Sequence, residues 1–122
     1  MAKIMVVDDA AFMRMMVKNA LAQGGYTDVC EASDGAEAVQ MYAEQKPQLV
    51  LMDITMPNMD GLEALKRMRA LEGCPPVVIM TAYSTTETAI EATRLGAFDY
   101  MLKPFDIPQV LELLQRALAA GE

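Results

Sequence analysis

Three short apolar runs punctuate the chain: KIMVVDD from Lys3, QLVLMDI from Gln48 and PPVVIMTA from Pro75. None shows the in–out alternation of a half-exposed strand, so they read as central parallel strands covered on both faces. DVCEA, Asp28 to Ala32, and DYMLKP, Asp99 to Pro104, are shorter in apolar content and more mixed, as edge strands are. Between these runs the period changes to that of helices. Met13, Val17, Ala20 and Leu21 form one apolar stripe that stops near Gly24, and Leu62, Leu65 and Met68 form another that stops near Gly73. Asp34 with Glu37, Ser84 with Glu87 and Asp106 with Gln109 have the spacing of capping boxes, and they open the second, fourth and fifth helices. Val110, Leu114, Ala117 and Leu118 face inward on the fifth. The fourth, around Ala89, Ile90 and Leu95, has the thinnest stripe and is expected to dock most loosely. Five strands alternating with five helices predict an α/β fold, a single doubly wound parallel sheet with right-handed crossovers.

The 122 residues suit one domain, 1–122, with a core of its own. No stretch approaches the roughly 20 apolar residues of a membrane span. MAKIMVV enters a strand without the apolar segment of a signal peptide, so a cytoplasmic protein is expected, with no membrane partner. A net charge of -7 argues against a general grip on nucleic-acid phosphates. Cys30 and Cys74 are far apart and read as inert thiols in a reducing compartment. With no histidine in the chain, histidine-ligated zinc, the Ser/His/Asp triad and the Cys/His pair are all excluded, leaving carboxylates, hydroxyls and lysine for any chemistry.

In a doubly wound sheet the carboxyl ends of the strands share one edge, where ligands bind. Asp8 and Asp9 follow the first strand, Asp53 ends the third, Thr81 the fourth, and Lys103 with Pro104 the fifth. Three carboxylates brought together disfavour full ionisation unless a cation joins them. Oxygen ligands alone select Mg²⁺ or Mn²⁺, which retain waters and commonly bridge to phosphate. A carboxylate beside such an ion can attack phosphorus and form an aspartyl phosphate. Lys103 would then neutralise phosphoryl oxygens and Thr81 would donate a hydrogen bond to one of them.

VVDD, LMDITMPNMDG, MTAY and YMLKPF, in that order and spacing, make the chain similar to the receiver domain of two-component response regulators over essentially its whole length. The resemblance implies a flavodoxin-like sheet of strand order 2-1-3-4-5. It also implies Asp53 as the phosphoacceptor, Asp9 as a direct metal ligand, Asp8 bound chiefly through water, and the main-chain carbonyl of Thr55 as a further ligand. It pairs Thr81 with Tyr100 as a switch in which the aromatic turns inward when Thr81 moves toward the phosphoryl group. Tyr83, two residues beyond Thr81, holds a position that tunes the lifetime of the phosphorylated state. A histidine kinase is the implied donor, and the chain catalyses only its own phosphorylation and dephosphorylation.

DDAAFMRMM resembles chemotaxis regulators that bind the flagellar motor switch, whereas GAFDYMLKPFDI is closer to receivers of nitrogen-regulation activators and of the sporulation phosphorelay. Because the chain starts just before its first strand and stops as its fifth helix ends, a stand-alone, monomeric regulator that signals by protein binding is expected. A phosphorelay intermediate exchanging with a phosphotransferase and a receiver excised from a longer regulator are the alternatives. A haloacid dehalogenase phosphatase would share Asp, Mg²⁺ and Lys, but its second aspartate two residues after the nucleophile has no counterpart here, since Thr55 follows Asp53 and Ala10 follows Asp8. Three bland readings stand beside these. Gly61 reads as a turn or helix-entry glycine, Tyr100 alone as an edge-strand aromatic, and the 12 methionines mostly as core filler. Met13, Met15 and Met16 cannot all face inward on one helix, so part of that set forms a soft contact surface.

Overall fold

The computed structural model describes residues 3–54, 61–70, 76–81, 86–102 and 106–120. Strands β1 (Ile4–Val7), β2 (Val29–Ala32), β3 (Leu49–Asp53), β4 (Val77–Thr81) and β5 (Asp99–Leu102) alternate with helices α1 (Ala11–Gln23), α2 (Gly35–Gln45), α3 (Gly61–Arg69), α4 (Thr86–Arg94) and α5 (Ile107–Ala120). All strand pairs are parallel, in the order β2-β1-β3-β4-β5 that the resemblance implied. Every residue of β1, β3 and β4 is buried, while β2 and β5 are partly exposed, which is the division into central and edge strands expected from their patterns.

Alternate residues along each strand supply two separate cores. Ile4, Val6, Leu49, Leu51, Val78, Met80 and Met101 pack with Val17 and Leu21 of α1 and with Val110, Leu113 and Leu114 of α5. Met5, Val7, Val50, Met52, Val77 and Ile79 pack with Ala38 and Tyr42 of α2, Ala64, Leu65 and Met68 of α3, and Ala92 of α4.

Helix entry follows the local chemistry at two of the expected boxes. The Asp34 side chain accepts from the Glu37 N–H at 2.8 Å, and Asp106 accepts from the Gln109 N–H at 2.8 Å. Ser84 lies outside the described residues. Helix α1 stops where expected: Tyr26 N–H donates to the Leu21 carbonyl at 2.9 Å, and Gly25 takes the left-handed conformation at φ 88° that a side chain resists. Helix α3 ends at Arg69, while Gly73, near which its stop was expected, lies outside the described residues. One expectation is corrected. On α4, Ile90 does not face the core: its side chain is 60 % exposed, and Ala92 makes the buried contact instead, with Leu95 packing just beyond the helix. With so few large apolar residues on α4, the sheet takes the small side chain at close range and leaves the larger one outside.

Candidate functional site

The sheet register assembles the site. The last residue pair of β1 and β3 is Val7 with Met52, so the next residues, Asp8 and Asp53, emerge side by side at the carboxyl edge. Asp53 is paired with Met80 across β3 and β4, and Thr81 follows one step further on. Both carboxylates and the threonine are buried, whereas Asp9 is exposed. Asp8, Asp9 and Asp53 each bring one carboxylate oxygen within 4.8 Å of the others. Two buried carboxylates beside a third repel strongly at low local polarity, and a divalent cation offsets that repulsion. The donor set fits Mg²⁺ or Mn²⁺: oxygen atoms alone, with one carboxylate open to solvent so that the ion can enter and keep its waters.

The turn after β1 is tied down from several directions. Asp8 N–H donates to the Ala32 carbonyl of β2 at 3.1 Å, and an Asp8 side-chain oxygen accepts from the Ala10 N–H at 2.9 Å. The Asp8 main-chain carbonyl accepts from the Arg14 guanidinium at 2.6 Å. Arg14 also donates to Glu31 of β2 at 3.1 Å, and Lys18 one turn further along α1 donates to the other oxygen of Glu31 at 3.1 Å. The Lys18 hydrogen bond, aided by Arg14, holds the Glu31 carboxyl below the usual range for a glutamate. Beside it on β2, burial pushes the Cys30 thiol up, consistent with an unreactive cysteine.

Opposite, the chain leaves β3 at Ile54 and α3 begins at Gly61, whose N–H donates to the Ile54 carbonyl at 2.7 Å. A Cβ at Gly61 would sit 2.2 Å from the Asp53 carbonyl oxygen and 2.8 Å from the Ile54 Cα. Glycine is therefore required by close backbone approach, and its absent side chain lets α3 start against the residue that carries the central carboxylate. Gly61 is the helix-entry glycine that the sequence suggested, but its close approach to Asp53 was not readable there, because a helix start in a sequence says nothing of what backbone passes in front of it. Arg14 was missed too. An arginine within FMRMM, one turn before Lys18 and with Glu31 on the neighbouring strand, was the available signal.

Thr81 pairs with Leu102 and Ile79 with Tyr100. Alternation along β4 and β5 puts Thr81 and Tyr100 on one face, the side packed by α2, α3 and α4 rather than the Met101 side. Tyr100 is 42 % exposed. Thr55, Tyr83, Lys103 and Pro104 lie outside the described residues, as does Cys74. Of Met13, Met15 and Met16 on α1, Met15 and Met16 are exposed together with Phe12, while Met13 is partly buried. No helix among the described residues is long and apolar enough to cross a membrane.

A five-stranded parallel sheet of this order, with an acidic cluster and a hydroxyl at its carboxyl edge, defines a receiver-type α/β protein. The chain belongs to the response regulator receiver domain family, which it matches over residues 4–115. It is 44 % identical over 116 residues to the chemotaxis protein CheY of Bacillus subtilis, covering 95 % of this chain and 97 % of that one. It is 48 % identical over 116 residues to the regulatory protein AtoC of Escherichia coli, but there it spans a quarter of the relative's length. Among solved structures, the receiver domain of the Francisella response regulator 1452 superposes with a TM-score of 0.91 at 29 % identity, each chain covered in full. The chemotaxis protein CheY4 of Vibrio cholerae superposes with a TM-score of 0.87 at 34 % identity, with 96 % of this chain and 98 % of that one covered.

Proposed function

We propose that this receiver accepts a phosphoryl group from a histidine kinase on Asp53, in a Mg²⁺-dependent reaction, and signals in the cytoplasm by phosphorylation-dependent protein binding of the chemotaxis type. The observation that carries the proposal is the convergence of the Asp8, Asp9 and Asp53 carboxylates at one strand edge with buried Thr81 on the adjoining strand. An Asp53 carboxylate oxygen attacks phosphorus, the P–N bond to the donor imidazole breaks, and its electron pair stays on that nitrogen. Asp9 and Asp53, with Asp8 through water and the Thr55 carbonyl, would hold the ion, and Lys103 would meet the phosphoryl oxygens. Bound Mg²⁺ supplies positive charge against the incoming phosphoryl oxygens. The Thr81 hydroxyl donates to one of those oxygens, and its movement frees space on the face it shares with Tyr100. An inward-turned Tyr100 then marks an active packing that is already populated before phosphorylation.

The match to chemotaxis proteins along nearly their whole length favours this output. The higher identity to AtoC favours a second reading, a receiver belonging to a longer transcriptional regulator. Incubation with acetyl phosphate should add one base-labile phosphoryl group by intact mass, absent in Asp53→Asn; persistent labelling of that variant would move the nucleophile elsewhere. Protein activated with beryllofluoride should then be retained by an immobilised flagellar motor switch protein, and equal retention with and without beryllofluoride would remove the chemotaxis reading.

A further inference from the structure

Arg14 takes no part in the reaction proposed above, yet it is the side chain through which α1 and β2 both reach the turn bearing Asp8 and Asp9. It is an arginine with only 18 % of its side chain exposed. One guanidinium nitrogen is 2.6 Å from the Asp8 carbonyl oxygen and another is 3.1 Å from Glu31. A planar fork with two fixed donors can join two acceptors in a set direction, which a lysine ammonium does not do. Glu31 also receives Lys18 one turn further along α1, an exposed ion pair that does not reach Asp8. The Asp8 peptide is thereby held on three sides: by β2 through its N–H, by Ala10 through its side chain, and by Arg14 through its carbonyl.

We infer that Arg14 is a positioning residue for the metal site: braced on Glu31, it fixes the Asp8 carbonyl and so sets the direction in which Asp8 and Asp9 present their carboxylates. The inference rests on the proposed metal-binding role of that cluster. Charge and geometry make opposite demands here, which gives the idea a sharp test. Arg14 is a cation close to a cation site, so by charge alone its removal strengthens Mg²⁺ binding. As a brace its removal weakens binding, because ligands left to wander pay an ordering cost when the ion arrives, and loss of a group that orients ligands typically lowers metal affinity about 10- to 100-fold.

Mg²⁺ titration by calorimetry separates the two. Wild-type protein and Arg14→Met, Arg14→Lys and Lys18→Met variants are compared, each checked for cooperative unfolding. About tenfold weaker Mg²⁺ binding is expected in Arg14→Met. Arg14→Lys, which keeps the charge but lacks the fork, should weaken binding in the same direction, and it carries the test alone if the methionine variant does not fold. Lys18→Met removes a cation from Glu31 without touching Asp8 and should stay within about twofold of wild type. Equal or tighter binding in the Arg14 variants, or an equal loss in Lys18→Met, overturns the inference. Failure of the wild type itself to bind Mg²⁺ would instead remove the metal site on which the inference rests.

Discussion

Where β1 ends, Asp8 is buried, and its N–H, carbonyl and carboxylate each have a partner; at the β5 edge Tyr100 and Leu102 of β5 and Ile90 of α4 stand exposed. Helix α5 buries Val110, Leu113, Leu114 and Ala117. Among the described side chains of α4, Ala92 alone is buried. Burying each large aliphatic side chain stabilises by about 1.5–3 kcal/mol, against about 0.8 kcal/mol for a methyl-sized group. The difference separates two demands on one small domain. Under the function proposed above, ligand atoms would have to hold their geometry when a cation arrives, while an element that reports the state of the site would have to shift at small cost.

The largest expected effect tests that contrast directly. Leu114→Ala should lower unfolding free energy by about 2–5 kcal/mol, the usual loss for a large-to-small change in a packed core. Ile90→Ala should change it by no more than about 0.5 kcal/mol. Comparable losses in urea unfolding would mean that α4 is held as firmly as α5.

Gly61→Ala sharpens the comparison at the rigid end. A methyl group placed 2.2 Å from the Asp53 carbonyl forces α3 or the end of β3 to move. A loss of about 1–3 kcal/mol is expected from overpacking. Slower labelling of Asp53 by acetyl phosphate should accompany it, and unchanged labelling would show that the site tolerates displacement.

Metal linkage should be next in size. With Mg²⁺ at ten times its dissociation constant, mass action predicts about 1.4 kcal/mol of added stability. Asp9→Asn should lose most of that gain in thermal melts, and an equal gain in both proteins would place the ion elsewhere.

The smallest effect concerns the partly exposed Glu31 cluster, where solvent screening limits the ion pairs to about 1 kcal/mol or less. Folding lowers the Glu31 pKa through Lys18 and Arg14. Its contribution is therefore complete above the unfolded value, about 4.3, and is lost as pH falls through the lower folded value. The stability difference between wild type and Glu31→Gln should be steady near neutral pH and shrink toward zero on acidification. A difference that grows as pH falls would contradict the lowered pKa.

Much of this molecule was legible without coordinates, because the signals concerned are local. Apolar runs without alternation mark strands covered on both faces, and a side chain three residues before a free N–H caps a helix whatever lies around it, as Asp34 and Asp106 do. Given βα alternation, the polar residues that end each strand must meet at one edge, so Asp8, Asp9, Asp53 and Thr81 could be named in advance. Strand order was not among those local signals and came from the family resemblance. Tertiary structure decided the rest: that Gly61 faces the Asp53 backbone, that Arg14 reaches the Asp8 carbonyl from α1, and that Ala92 rather than Ile90 meets the sheet. A periodic pattern gives the angle of a residue around its own helix, but not the distance to the next element or the size of side chain that the gap accepts. Those depend on how sheet and helices pack together, and packing is settled only when all of them are in place.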